Sequence, residues 1–168
     1  MMLDLCRLLL FPALMAFAAS SDLFTMTISN KVSLALVAGF FILALASGFT
    51  PAEIGAHAGA GMAVLVVAFV FFARGWIGGG DAKLAAATAL WLGFDHLLPY
   101  LFDASLLGGG LTLLLLNFRM VELPTAVRGW TFVERLHRKD EGVPYGIALA
   151  AAALLVYPDT VWMTGLGS

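Results

Sequence analysis

Six apolar runs, at about 5–20, 32–49, 56–73, 82–95, 98–118 and 144–163, leave this 168-residue chain few folds to choose from. The first three and the last approach the ~20 residues that an α-helix needs to cross a hydrocarbon core. Hydrophobic residues make up 61% of the chain and charged ones 12%, too few polar groups to cover a water-facing surface. The chain reads as an integral membrane protein. In lipid each segment must satisfy its own backbone groups, so the predicted fold is all-α: a polytopic helical bundle of about six transmembrane helices. Asp95, His96, Pro99 and Asp103 interrupt the fourth and fifth runs. A short span sheltered by its neighbours, or a broken helix beside a wet cavity, accounts for that.

Orientation follows from the cations. Lys31, Arg74, Lys83, Arg119, Arg128, Arg135, Arg138 and Lys139 all follow an odd number of crossings, and Arg7 alone dissents. The positive-inside bias makes their side cytoplasmic and puts the amino terminus outside. The most polar stretch, about 119–143, is then a cytoplasmic loop, either a solvated connector that sets topology or a docking surface. Ala16-Phe17-Ala18 imitates a signal-peptidase site, but Asp4 beside Arg7 leaves the amino-terminal charge weak, so the first run is read as a retained span. A net charge of −2 offers no basic surface for nucleic acid.

The minor features have plain readings. The lone Cys6 can build neither a disulfide framework nor a Cys-rich zinc site, and reads as a small buried hydrophobe. Gly55-Ala56-His57-Ala58-Gly59 has the small-residue spacing that lets membrane helices approach closely. His57 reads as an interfacial or hydrogen-bonded histidine, with no His or Cys company for a metal; no metal site and no cofactor are expected. Most of Trp76, Trp91, Trp130 and Trp162 fall near span ends, where amphipathic rings prefer the interface.

Two acids carry the chemistry. Asp22 follows the first crossing and Asp81 the third, so both belong to the cytoplasmic face although 59 positions separate them. A carboxylate beside a membrane is costly and turns toward a cavity or a partner. Two that converge cannot ionise independently: they share a proton and titrate as a unit. One then takes a proton from water while the other, protonated, polarises a scissile carbonyl. Gly78, Gly79 and Gly80 stand immediately before Asp81; lacking side chains, they can adopt positive φ and admit an extended backbone beside the acid. Taken alone, Asp81 is also compatible with a helix N-cap, with Lys83 snorkelling to the headgroups, and Asp22 with an interfacial cap after Ser20-Ser21. A second triplet, Gly108-Gly109-Gly110, precedes Leu111 and reads as helix packing or a flexible kink.

These residues resemble a known family. Gly78 to Asp81 matches the G-x-G-D pattern of polytopic aspartic peptidases, and Ala82-Lys83-Leu84 resembles its prepilin peptidase branch. Upstream, "DLFTMTISN" is similar to the family's first catalytic segment, with Ile28-Ser29-Asn30 as its Ile-x-Asn element; "VPYGIALA" is similar to the Pro-Tyr-Gly start of its last helix. The likeness is to the short branch of Tad/Cpa-type pilus systems. It implies one membrane-embedded aspartic peptidase domain over 1–168, cleaving the leader of type IV, Flp/Tad-like prepilins at the cytoplasmic face of the bacterial inner membrane. Asp22 and Asp81 would be the catalytic pair. Gly78, Gly79, Gly80, Lys83, Asn30, Tyr145 and Gly146 would shape substrate access; the partners implied are the prepilin, membrane lipid and pilus assembly machinery.

Two departures qualify the likeness. Phe24, Thr25 and Met26 stand where many relatives carry basic residues, and the paired cysteines and extra amino-terminal region of the bifunctional enzymes are missing, so methylation is not implied. Two other classes use the same residues. A scaffold subunit of a secretion machine would use the glycines for packing and the acids for rim contacts, and a small transporter would use paired acids as a proton or cation pathway.

Overall fold

The computed structural model describes residues 1–124, 127 and 129–164. Among them the regular structure is helical: α1 (Met2–Thr25), α2 (Asn30–Ala46), α3 (Pro51–Ala73), α4 (Gly79–Leu92), α5 (Leu97–Phe118), α6 (Thr131–His137), α7 (Gly146–Val156) and α8 (Val161–Thr164), with a 3-10 turn at Tyr157–Asp159 before α8. Arg128, one of the cations used for orientation, lies outside the described residues, as does part of the 119–143 segment.

The six apolar runs form six apolar helices, but of unequal length. Helices α1, α3 and α5 are long and apolar enough to cross a membrane. Helix α2 has 17 residues, α4 has 14 and α7 has 11, so the expectation of a near-full span is corrected for the last run. The last run breaks at Val156, where Tyr157-Pro158-Asp159 tightens into the 3-10 turn. Pro158 has no N–H to continue the α-helix. The fifth run, expected to be interrupted, is one unbroken helix: Pro99 falls in its first turn, where an N–H has no helical partner to lose.

Exposure marks the lipid-facing surface. Leu34, Phe69, Leu98 and Leu114 are all more than 60% exposed, a cost in water but not in hydrocarbon. Where the central helices meet their neighbours, many of the buried residues are small. Helices α4 and α7 form the centre: α4 packs against α2, α3 and α7, and α7 against α1, α4 and α5. Their buried faces include Ala82, Ala86, Ala87 and Ala89, and Gly146, Ala148, Ala150, Ala152 and Ala153. Lipid tails are as apolar as leucine, so helix association in a membrane rests on close van der Waals packing, which small residues permit. The α3–α4 approach uses Ala60, Gly61 and Val64, with a Cβ on Gly61 coming within 3.1 Å of Leu90 and 3.2 Å of the Ala86 carbonyl. Gly55, expected to pack, faces open space.

A helix as short as α4 ends inside the bundle, which leaves its last carbonyls without intrahelical partners. Side chains from elsewhere take them. The Trp162 indole donates to Trp91 O at 2.8 Å, and His57 Nδ1 lies 2.9 Å from Leu90 O, which requires its N–H at that nitrogen. Trp91 in turn donates to Leu36 O at 2.9 Å. Trp91 and Trp162 are therefore buried in an aromatic core with Phe11, Phe40 and Tyr157, a correction to their expected interfacial position. Trp76 and Trp130 do lie exposed. Cys6 is exposed on α1 rather than buried: an outward thiol on this helix meets lipid, where it costs little.

Candidate active site

At the end of the bundle opposite the aromatic core, the ends of α1, α3 and α5 and the starts of α4 and α7 enclose a cavity of about 890 Å³. Asp22 and Asp81 both line it, with Gly78, Gly79, Gly80, Ile28, Thr112 and Tyr145 among its other walls. The two acids are near enough for the charge of Asp22 to act on Asp81. Asp22 is buried, 5% exposed, in the last turn of α1, whereas Asp81 is partly exposed in the first turn of α4.

Each acid is held by its own backbone setting. Helix α1 stops at Met26, whose φ of 55° is left-handed and whose N–H returns to Asp22 O at 2.8 Å. A non-glycine residue there carries strain of about 1–2 kcal/mol. It turns the chain so that Met26, Thr27 and Ile28 line the cavity. The Ser21 hydroxyl fastens this turn by donating to Thr27 O at 2.8 Å, and Thr25 donates to Ser21 O at 2.7 Å. Among the described residues, the Asp22 carboxylate accepts a direct hydrogen bond from the Gly146 N–H to Oδ2 at 2.7 Å. That glycine begins α7, so a helix near the end of the chain supplies the donor that orients the first acid.

Asp81 is not the N-cap of α4. Gly78 is, and Asp81 is the third helical residue, with its side chain folded back: Oδ2 lies 2.9 Å from where a Cβ on Gly78 would stand. A carboxylate in a first helical turn also meets the positive end of the helix dipole. The expected use of positive φ by these glycines is corrected as well. Positive φ among the glycines occurs at Gly48, Gly75, Gly93 and Gly129, and Gly78 has φ of −72°. What the triplet supplies is missing volume: Gly78 admits Asp81 itself, a Cβ on Gly79 would stand 3.2 Å from the Phe72 ring, and a Cβ on Gly80 would stand 3.1 Å from Ile28 Cβ. The Gly80–Ile28 contact joins the loop after α1 to the start of α4 and so brings the two acids to one cavity.

Lys83 and Asn30 do not line this cavity. Lys83 Nζ donates to Asn30 Oδ1 at 2.8 Å, tying α4 to α2. The pair stands at the head of a second, almost wholly apolar groove of about 490 Å³, walled by Leu34, Val37 and Phe41 of α2 and Met62 and Leu65 of α3. Tyr145 and Gly146 do belong to the acid site, the first as a wall and the second as the donor to Asp22.

The polar segment before α7 is no free connector. Arg119, nearly buried at the end of α5, donates from Nε to Leu136 O at 2.8 Å and from Nη2 to Gly142 O at 2.7 Å. Arg135 donates to Phe24 O at 3.0 Å, satisfying a terminal carbonyl of α1, and Phe132 meets Phe24 edge-on. These contacts fold the segment back over the bundle end, where Glu141, Gly142 and Val143 join the cavity wall. Sequence reasoning named Arg119 as an orienting cation, Ile28 as part of an Ile-x-Asn element and Gly108 as a packing or kink glycine, but assigned none of them to the acid site. A lone arginine closing a long apolar run was the available signal for the first; the contacts of the other two cross between helices.

Two carboxylates and a glycine wall thus share one open cavity of about 890 Å³, room enough for a segment of peptide. A family model described as the type IV leader peptidase family matches residues 9–113, more than half of the chain, including both aspartates and the glycine turn. Neither the curated proteins nor the solved structures give a match.

Proposed function

Because the chain belongs to the type IV leader peptidase family, we propose that it is a membrane aspartic endopeptidase that removes the leader of type IV, Flp/Tad-like prepilins, working at the cytoplasmic face of the bacterial inner membrane within a pilus assembly system. The observation that carries the reading is the meeting of Asp22 and Asp81 on one cavity from 59 positions apart.

In this reaction one ionised carboxylate takes a proton from a water molecule, whose oxygen attacks the scissile carbonyl carbon. The other carboxyl, protonated, donates to the carbonyl oxygen as negative charge develops there. The tetrahedral intermediate collapses when a proton passes to the amide nitrogen, the C–N bond breaks, and the acid pair is left sharing one proton again. The Gly146 N–H fixes the rotamer of Asp22, and the dipole of α4 favours negative charge on Asp81, so the two carboxyls have unlike surroundings, as an acid and a base require. The apolar groove beside α4 gives the prepilin's hydrophobic segment a place to lie, with its head at Lys83, two residues from Asp81.

Orientation is supported by the cations, since Arg74, Arg119, Arg135, Arg138 and Lys139 belong to the segments that gather at the cavity end. The test is leader cleavage, read as a mobility shift in membranes that co-express a Flp-like prepilin, for wild type, Asp22→Asn and Asp81→Asn at matched levels. Asparagine keeps the shape and removes the titrating acid, so each variant is expected to lose about 10²–10⁴-fold in rate. Cleavage by both variants at the wild-type rate would return the acids to a scaffold or transport role.

A further inference from the structure

The second glycine triplet, Gly108-Gly109-Gly110, is not uniform. Helix α5 runs through it unbroken, so no kink explains it. Gly109 and Gly110 are exposed, and a Cβ on either would meet nothing within 4 Å. Gly108 is buried, and a Cβ there would fall inside the Tyr145 ring, against Oη, Cζ and Cε2. The phenol occupies the notch that the missing side chain leaves. Its hydroxyl donates to Ala104 O, one turn earlier on the same face of α5, at 3.1 Å. One turn later Thr112, whose hydroxyl donates to Gly108 O at 2.8 Å, joins Tyr145 in the cavity wall.

Tyr145 is covalently followed by Gly146, the donor to Asp22. The Gly108 notch therefore sets where the Tyr145 ring lies, and the ring sets where its neighbour's N–H points. Displaced from the notch, a rigid ring on this residue would lose its bond to Ala104 and press into the cavity or lever Gly146 away from the acid. We propose that Gly108 is a positioning residue of the acid site: a socket on α5 that seats Tyr145 and thereby holds the Gly146 N–H on Asp22. Helix α5, which carries neither acid of the pair, is in this way coupled to the pair. The inference rests on reading the cavity as the peptidase site, and its test separates the two.

The triplet supplies its own controls. Gly108→Ala, Gly109→Ala and Gly110→Ala are compared in the full chain, in detergent, for thermal unfolding and for leader-cleavage kcat per folded enzyme. Gly109→Ala and Gly110→Ala are expected to keep wild-type turnover. Gly108→Ala is expected to lose about tenfold or more in kcat, the scale set by misplacing a catalytic group by a fraction of an ångström to 1 Å. Wild-type turnover in Gly108→Ala, or an equal loss in all three, overturns the socket. The second arm needs no cleavage: Gly108→Ala should lower the unfolding temperature, and adding Tyr145→Ala should restore part of that loss, because the clashing ring is gone. Additive losses overturn the proposal. If wild type cleaves no prepilin while the thermal coupling is present, the seat stands and the peptidase reading fails.

Discussion

The Gly146 N–H and the Asp22 carboxylate, 124 positions apart, meet at 2.7 Å across the junction of α1 and α7. No side chain fits between them: a Cβ on residue 146 would stand 2.8 Å from Asp22 Oδ2 and 2.6 Å from Ile28 Cδ1. Gly146→Ala is therefore expected to cost about 1–3 kcal/mol by overpacking. Cleavage should fall by about 10²-fold, because the acid is displaced by up to about 1 Å. Rate per folded enzyme and unfolding temperature, measured together, check both parts; an unimpaired rate would show that the contact does not orient the acid.

An acid pair that shares one cavity makes a prediction about pH. With both carboxyls protonated there is no base for the water; with both ionised there is no acid for the carbonyl oxygen. Cleavage should follow a bell, falling at low pH and again at high pH, with two limbs that belong to the pair rather than to either residue. A flat profile across both limbs, in membranes that stay intact, would speak against shared-proton catalysis.

Arg119 holds the segment that closes the cavity wall, and its two bonds leave from different nitrogens to Leu136 O and Gly142 O. Arg119→Lys keeps the charge, but its single ammonium cannot reproduce the fork. Loss of one charge-assisted hydrogen bond costs about 1.5–3 kcal/mol. Limited proteolysis should then cut the 136–143 segment faster while the helices stay protected. Unchanged cutting would mean that α6 and its contacts with Phe24 are sufficient to hold it.

Trp162→Phe tests how the short central helix ends. The ring remains, but Trp91 O loses its donor inside the core. An unpaired buried carbonyl costs about 1–3 kcal/mol, which a lowered unfolding temperature would report. The site lies at the other end of the bundle, so turnover of the folded fraction should not change; a large loss of kcat would show that α4 transmits strain along its length.

Much of this molecule was legible in one dimension. The helices were, because lipid forces every segment to satisfy its own hydrogen bonds, so apolar length alone announces them. Asp22 and Asp81 were legible as candidates too, since acids beside apolar runs are expensive and stand out, while the Pro-Tyr-Gly start of α7 was marked by family resemblance alone. The use of each glycine was not. Gly78 and Gly80 are demanded by Asp81 and Ile28, and Gly108 by Tyr145, while the adjacent Gly109 and Gly110 touch nothing, although all five look alike in the sequence. Likewise Trp162 went inside because the buried end of α4 left the Trp91 carbonyl for its indole to reach, and Trp91 because its own indole reaches Leu36 O of α2. Lys83 turned to Asn30 on the groove side of α4. By itself the sequence determined where the six apolar helices lie and which acids are available, because those follow from local solvation, while α6 and the break in the last run were not foreseen. Only the tertiary structure decided which glycine makes room for which neighbour and which donor holds which acid, because those contacts join residues from different helices at distances that packing alone sets.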